Sequence, residues 1–180
     1  EYATVSTGIS ATDTMLKTAE VEVIEAQTVC PGKYIAIITG ELSAVKASVE
    51  NAKAQFGEKL IDTFVLGNPH ESVIPAIYGA NSVENPKALG ILETFSVASM
   101  IVAADAAAKT AEVDLIELRL ARGMCGKSYM LITGSVSAVS ASIERAKQEG
   151  VIITTYEALL FELMGGSTCP VFRQISKIVK

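Results

Sequence analysis

Thr18-Ala19-Glu20-Val21-Glu22-Val23-Ile24-Glu25 returns 92 residues later as Thr110-Ala111-Glu112-Val113-Asp114-Leu115-Ile116-Glu117. Downstream, Gly32 to Lys53 returns as Gly126 to Lys147 with 13 of 22 positions identical. A chain of 180 residues that repeats itself on this scale reads as two tandem domains, expected at 1–84 and 85–180. The copies disagree at one place. Between the matched blocks the first reads Thr28-Val29-Cys30-Pro31, and the second reads Leu120-Ala121-Arg122-Gly123-Met124-Cys125, two residues longer. A short loop that diverges inside a duplicated scaffold is the first place to expect function.

Working outward, the residue pattern sets the element order. An Ala/Thr-rich stretch with Ile9, Met15, Leu16 and Ala19 at helical spacing precedes the repeat in copy one, and Val97 to Ala111 is its counterpart. The alanines at 103, 104, 106, 107 and 108 make that second stretch a strong helix former. Val21 to Glu25 alternates apolar and acidic, the period of a half-exposed strand. Tyr34 to Thr39 reads as a more buried strand stopped by Gly40. A helix then runs from about Glu41 to Ala54, with Leu42, Val45, Val49 and Ala52 on its apolar face. Leu60 to Leu66 reads as a fourth strand, followed by a turn at Gly67 to Glu71 and a short helix around Val73 to Ile77.

The order is β-α-β-β-α-β, then a short helix, an α/β (α+β) ferredoxin-like plan repeated twice. Glu1 aligns with Glu93, so copy one is expected to lack residues equivalent to Leu89 to Leu92. Gly79 to Pro86 reads as the joint between the copies. Copy two keeps the order as far as Val151 to Thr155, and its tail, from Leu159 to Lys180, has no clear counterpart.

Composition narrows the class. The chain is 49% apolar, with a mean hydropathy of +0.38, yet no apolar run approaches the roughly 18 residues of a membrane span. The excess suggests surface hidden against other copies of the chain. A net charge of −5, with no Lys/Arg cluster, argues against nucleic acid. No secretion signal is visible, and three cysteines in unrelated settings make no disulfide framework, so a reducing cytoplasmic setting is expected.

Several motifs recur in order in both copies. Gly90-Ile91-Leu92-Glu93, Asp105 with Lys109, and Gly126-Lys127 before a strand ending Thr133-Gly134 resemble the bacterial microcompartment shell domain. Asp13, Lys17, Gly32-Lys33 and Thr39-Gly40 repeat that pattern in copy one. Two fused copies resemble the tandem-domain shell proteins, in which three chains form a pseudo-hexameric tile. Within that group, Thr28-Val29-Cys30-Pro31-Gly32-Lys33 resembles the iron–sulfur shell proteins of propanediol-utilization compartments. The likeness extends to about residue 155. Cys125 stands where a small residue is usual in the second pore loop, and the tail departs from the family ending.

The resemblance implies a homotrimer within a cytoplasmic bacterial microcompartment, with other shell proteins as partners and an encapsulated redox enzyme as a further one. It implies a structural rather than enzymatic role, with no nucleic-acid or membrane partner. It also implies one [4Fe-4S] cluster per trimer on the three-fold axis, held by Cys30, for electron transfer across the shell. One thiolate per chain is too few for a cluster that wants four cysteine ligands, but three copies about an axis supply three. Without the cluster, Cys30 reads as a small residue beside a turn. The pore loops would comprise Val29, Pro31 and Gly32 from copy one and Gly123, Met124, Cys125 and Gly126 from copy two. Lys17 and Lys109 would lie at tile edges, packed against counterparts in a neighbouring tile.

Other readings stand beside this one. A metal-free metabolite pore keeps the shell and drops the cluster. A ferredoxin-like regulatory module binding small ligands between subunits shares the element order. Cys125 reads as a structural thiol or a second pore thiol, and Cys169 as non-functional. Ala121 to Ser128 only superficially evokes a phosphate-binding loop, because Ala121 replaces the first glycine and a strand follows. His70, the lone histidine, reads as a turn residue with no catalytic partners.

Overall fold

The computed structural model describes residues 1–83 and 86–149, together with the backbone of a strand at 159–162. Two compact units make up the chain. One gathers Glu1–Asn68 with Ser96–Ala98 and Ala121–Lys127; the other gathers Pro69–Phe95, Ser99–Leu120 and the chain from Ser128 onward.

In the first unit, helix α1 (Val5–Thr18) leads into an antiparallel pair, β1 (Val21–Val29) and β2 (Lys33–Gly40), followed by helix α2 (Leu42–Phe56). The β-branched and apolar residues of Lys33–Gly40 suit a half-buried pleated surface. Tyr2, Ala11, Met15 and Ala52 form the core between the helices and the pair, with Ala36, Ile38, Val49, Phe56 and Leu60 packed against it. The expected α2 face holds at Val49 and Ala52, which join this core, and departs at Leu42, which is 45% exposed; Ser48 is also buried, its hydroxyl donating to the Met15 carbonyl at 2.9 Å. The fourth strand expected at Leu60 to Leu66 is reduced to a single bridge between Leu60 and Tyr2.

The second unit carries that full set. Strands β4 (Val113–Leu120), β5 (Ser128–Gly134), β3 (Ala88–Thr94) and β6 (Leu159–Glu162) form one antiparallel sheet in the order β4-β5-β3-β6. Helices α4 (Val97–Thr110) and α5 (Val136–Glu149) complete the β-α-β-β-α-β order, and the short α3 (Val73–Ile77) also belongs to this unit from Pro69 onward. The strand that closes copy two lies at Leu159–Glu162; the segment expected for it, Val151 to Thr155, and Cys169 with most of the tail lie outside the described residues. Leu92, Met100, Leu115, Leu118, Met130, Ile132 and Val139 are fully buried.

The duplication persists in detail. Both copies place a bulge at the same point, between Val23 and Glu25 and between Leu115 and Glu117. Ser48 bonds Met15 as Ser142 bonds the Ala107 carbonyl at 3.0 Å, and Thr18 bonds the Thr14 carbonyl as Thr110 bonds that of Ala106. The two serine hydroxyls, both buried, thereby satisfy donors that burial would otherwise leave unpaired. Among the described residues, no helix is long and apolar enough to cross a membrane.

Candidate functional site

β1 delivers its last residue, Val29, buried at 5% exposure, and releases Cys30 to solvent. The Cys30–Pro31 peptide is cis, and Gly32 takes φ = 111°, a left-handed conformation that side chains rarely adopt. The Gly32 N–H donates to the Val29 carbonyl at 2.9 Å, closing the turn. Behind it, the Lys33 ammonium donates to Glu1 Oε1 at 3.0 Å, and Glu1 Oε2 accepts from the Val97 N–H at 3.1 Å.

The longer loop of copy two belongs to the same unit. Ala121 is buried with φ = 55°, Gly123 has φ = 71°, Cys125 has φ = 51° and Gly126 has φ = 88°. A side chain at Gly126 would lie 3.3 Å from the Cys30 carbonyl and 3.2 Å from Lys33 Nζ, so the two loops are in contact there. The Lys127 N–H closes this loop onto the Met124 carbonyl at 3.0 Å. Cys125 is free and exposed, as Cys30 is. A strand follows the loop rather than a helix, so its amides do not form the cradle of a phosphate-binding loop.

The structure thus places Gly126 against Cys30 and Lys33, within the unit that also holds Val29, Pro31, Gly32, Gly123, Met124 and Cys125. Lys17 and Lys109 lie elsewhere, at the last turns of α1 and α4, paired with Asp13 at 2.6 Å and Asp105 at 2.7 Å. His70 starts the turn before α3, its ring nitrogen Nδ1 2.8 Å from the Ser72 hydroxyl. Among the described residues of one chain, no three His, Cys, Asp or Glu side chains gather into a metal-holding group.

One feature beside the loops was not legible beforehand. Arg122 and Gln27 both donate to Glu25 Oε1, while Glu25 Oε2 is buried without a hydrogen-bond partner. The Glu25 side chain is only 9% exposed, so the Arg122 pair pins the second loop to β1. The matched residue, Glu117, has both oxygens occupied, by Arg119 at 2.5 and 2.9 Å and by the Tyr129 hydroxyl at 3.1 Å. Burial, reinforced by Glu117, raises the Tyr129 pKa above the ordinary tyrosine value. Copy one has Ile35 where Tyr129 stands, which leaves Glu25 Oε2 without that donor. The repeated acid of the opening stretch was the available signal; its partner on a non-matching loop was not.

Comparison with known proteins agrees with this arrangement. A family model for the BMC domain matches residues 1–69 and again 88–159. The chain is 40% identical over 157 residues to the bacterial microcompartment shell protein PduT of Citrobacter freundii, covering 85% of each. It is 27% identical to the carboxysome assembly protein CcmO of a Synechocystis strain, covering 84% of this chain and 55% of that protein. A crystal structure of a microcompartment protein from Desulfitobacterium hafniense matches with a TM-score of 0.81 and 40% identity, covering 96% of this chain and 94% of that one. A fused permuted hexameric shell protein, MSM0275 from the RMM microcompartment, shares the fold at a TM-score of 0.64 and 20% identity, over 83% and 77% of the two chains. With two matches in tandem over most of its length, the chain belongs to the BMC-domain family and is a structural shell protein of the bacterial microcompartment.

Proposed function

We propose that three copies of this chain assemble into a pseudo-hexameric tile whose three-fold axis is lined by the Cys30 loops, and that three Cys30 thiolates hold a [4Fe-4S] cluster there. One observation carries the reading: a free, exposed Cys30 on a glycine turn that is packed against the Gly126 loop. The donor chemistry fits, because a thiolate is the ligand such clusters take. Among the described residues of one chain no group of three ligating side chains gathers, and three copies about an axis would supply three thiolates. When bound, the cluster would supply one-electron transfer across the shell. The chain's own part is to fix three thiols on backed turns: Lys33 and Glu1 hold the start of β2, and Arg122 holds the second loop to Glu25. No catalytic turnover is assigned. Other shell proteins and an encapsulated redox enzyme are the partners this role requires.

Anaerobically purified protein should be brown, absorb near 400 nm, and contain iron and labile sulfide. Cys30→Ser should abolish all three while leaving the oligomer intact; Cys125→Ser should keep them. A colourless, iron-free wild type with an unaltered Cys30→Ser variant would leave a metal-free pore instead.

The tile edge gives a separate prediction. Lys17 is 73% exposed on its side chain, and its exposed pair with Asp13 contributes little to stability. Lys17→Glu is therefore expected to fold normally, to keep its oligomeric state and to lose extended sheets in electron micrographs. Unchanged sheets would remove Lys17 from the edge.

A further inference from the structure

We propose that Cys30 and Cys125 of one chain form a reversible dithiol–disulfide pair, in which Cys30 is a site of oxidation and Cys125 is the thiol that resolves it. The consequence for the pore rests on the cluster reading above; the pairing of the thiols does not.

Both thiols are free and exposed, the condition under which a cysteine exchanges with other sulfur compounds. They also lie on loops that meet. A Cβ at Gly126 would stand 3.3 Å from the Cys30 carbonyl oxygen, and Cys125 is the residue before it. Standard backbone dimensions then hold the two cysteine Cα atoms within about 11 Å of each other. A disulfide takes Cα separations of about 4.4 to 6.8 Å, so the loop tips need approach by no more than about 5 Å.

The loops allow that approach from fixed bases. Gly32 and Gly123 have φ of 111° and 71°, and a Cβ at either would meet nothing within 4 Å. Glycines in such open positions let a tip change conformation at little steric cost. The bases are held elsewhere: Val29 is buried at the end of β1, and Arg122 pairs with the nearly buried Glu25. Residues 123–126 thus span a short arc between Arg122 and the approach to β5 at Ser128.

The second thiol is no duplicate of the first. With Gly126 matched to Gly32, Met124 takes the position of Cys30, and Cys125 takes that of Pro31. Cys125 adopts φ = 51°, where a residue other than glycine is uncommon. A thiol is therefore held one step off the repeat, on the loop that touches Cys30.

The co-reactant is a low-molecular-weight disulfide such as oxidised glutathione. The Cys30 thiolate attacks one of its sulfurs, forming a mixed disulfide and releasing one small thiol. The Cys125 thiolate then attacks the Cys30 sulfur, forming the intrachain S–S bond and releasing the second small thiol. The chain gives up two protons and two electrons, and the two released thiols carry them away. In a reducing setting such a bond is transient, which suits a sensor rather than a structural staple. Linked Cys30 has no thiolate to offer iron, and it is shielded from irreversible oxidation.

Full-length, iron-free protein should be incubated with oxidised glutathione, denatured, and its thiols counted. Wild type should fall from three titratable thiols per chain to one. It should run as a single chain on a non-reducing denaturing gel and yield the tryptic peptide 18–33 joined to 123–127. Cys125→Ser should stop with glutathione held on Cys30. Wild type that keeps glutathione on Cys30 without the link, a link to Cys169, or chains joined in pairs would overturn the pair. These readings come from the native chain, so no variant's folding decides them. Linked wild type should then take up no iron or sulfide until dithiothreitol restores its thiols. Uptake by the linked form would overturn the switch. A link with no uptake by either form would overturn the cluster and spare the pair.

Discussion

Gly8→Met is expected to destabilise the first unit by about 3 kcal/mol, and adding Tyr34→Ser should recover more than half of that loss. A Cβ at Gly8 would lie 2.4 Å from Tyr34 Cβ and 2.5 Å from Tyr34 Cγ, too close for the strand-proximal atoms of a ring to yield. Glycine inside a helix costs about 1 kcal/mol against alanine, so its presence within α1, at the end of the first turn, needs a packing reason. The ring of Tyr34 supplies it. At the matched positions of copy two the sizes are reversed: Met100 stands for Gly8 and Ser128 for Tyr34, and both are fully buried. The same space between helix and sheet is thus filled from opposite sides. Tyr34→Ser alone should cost about 3 kcal/mol through the cavity it leaves. Denaturant unfolding of the two single variants and the double variant measures the coupling. Strict additivity of the two losses would refute the exchange.

Asp105→Ala should cost the second unit about 2 to 3 kcal/mol, and Asp13→Ala no more than about 0.5 kcal/mol. The two aspartates occupy matched positions and each pairs with a lysine four residues on. Asp105, however, also accepts the His70 N–H from inside a buried setting. Removing it strands a backbone donor and loosens the segment from Pro69 to Asn81. A charge-assisted bond at a buried carboxylate is worth several times an exposed helix pair. Chemical denaturation of each variant, with hydrogen exchange at residues 69–81, reads both effects. Equal losses at the two sites would contradict the assigned difference in burial.

The repeated stretches disclosed the architecture because periodicity survives divergence. Glu22 and Asp114 keep strand alternation, and Ser48 and Ser142 keep a buried hydrogen bond, whatever their neighbours became. The Cys30 loop stood out for the converse reason, as a difference between otherwise matched copies. Three things escaped the pattern, each a long-range event. Leu42 fits an apolar helical face yet lies 45% exposed, while Ser48 is buried with its hydroxyl on the Met15 carbonyl, 33 positions away. Leu60 to Leu66 has strand character, yet among the described residues its pairing is a single bridge from Leu60 to Tyr2, 58 positions away. The pairing of Arg122 with Glu25 joins residues 97 positions apart, one of them on the unmatched loop, and no local spacing encodes it.

The central claim is that a site too small in one chain is completed by three, and a stoichiometry tests it most directly. Iron, labile sulfide and protein should be quantified on the anaerobic oligomer isolated by sizing with light scattering. The account predicts a trimer carrying about four irons and four sulfides for every three chains, all lost together in Cys30→Ser. One iron or more bound per isolated monomer, or a trimer that retains its iron without Cys30, would contradict it.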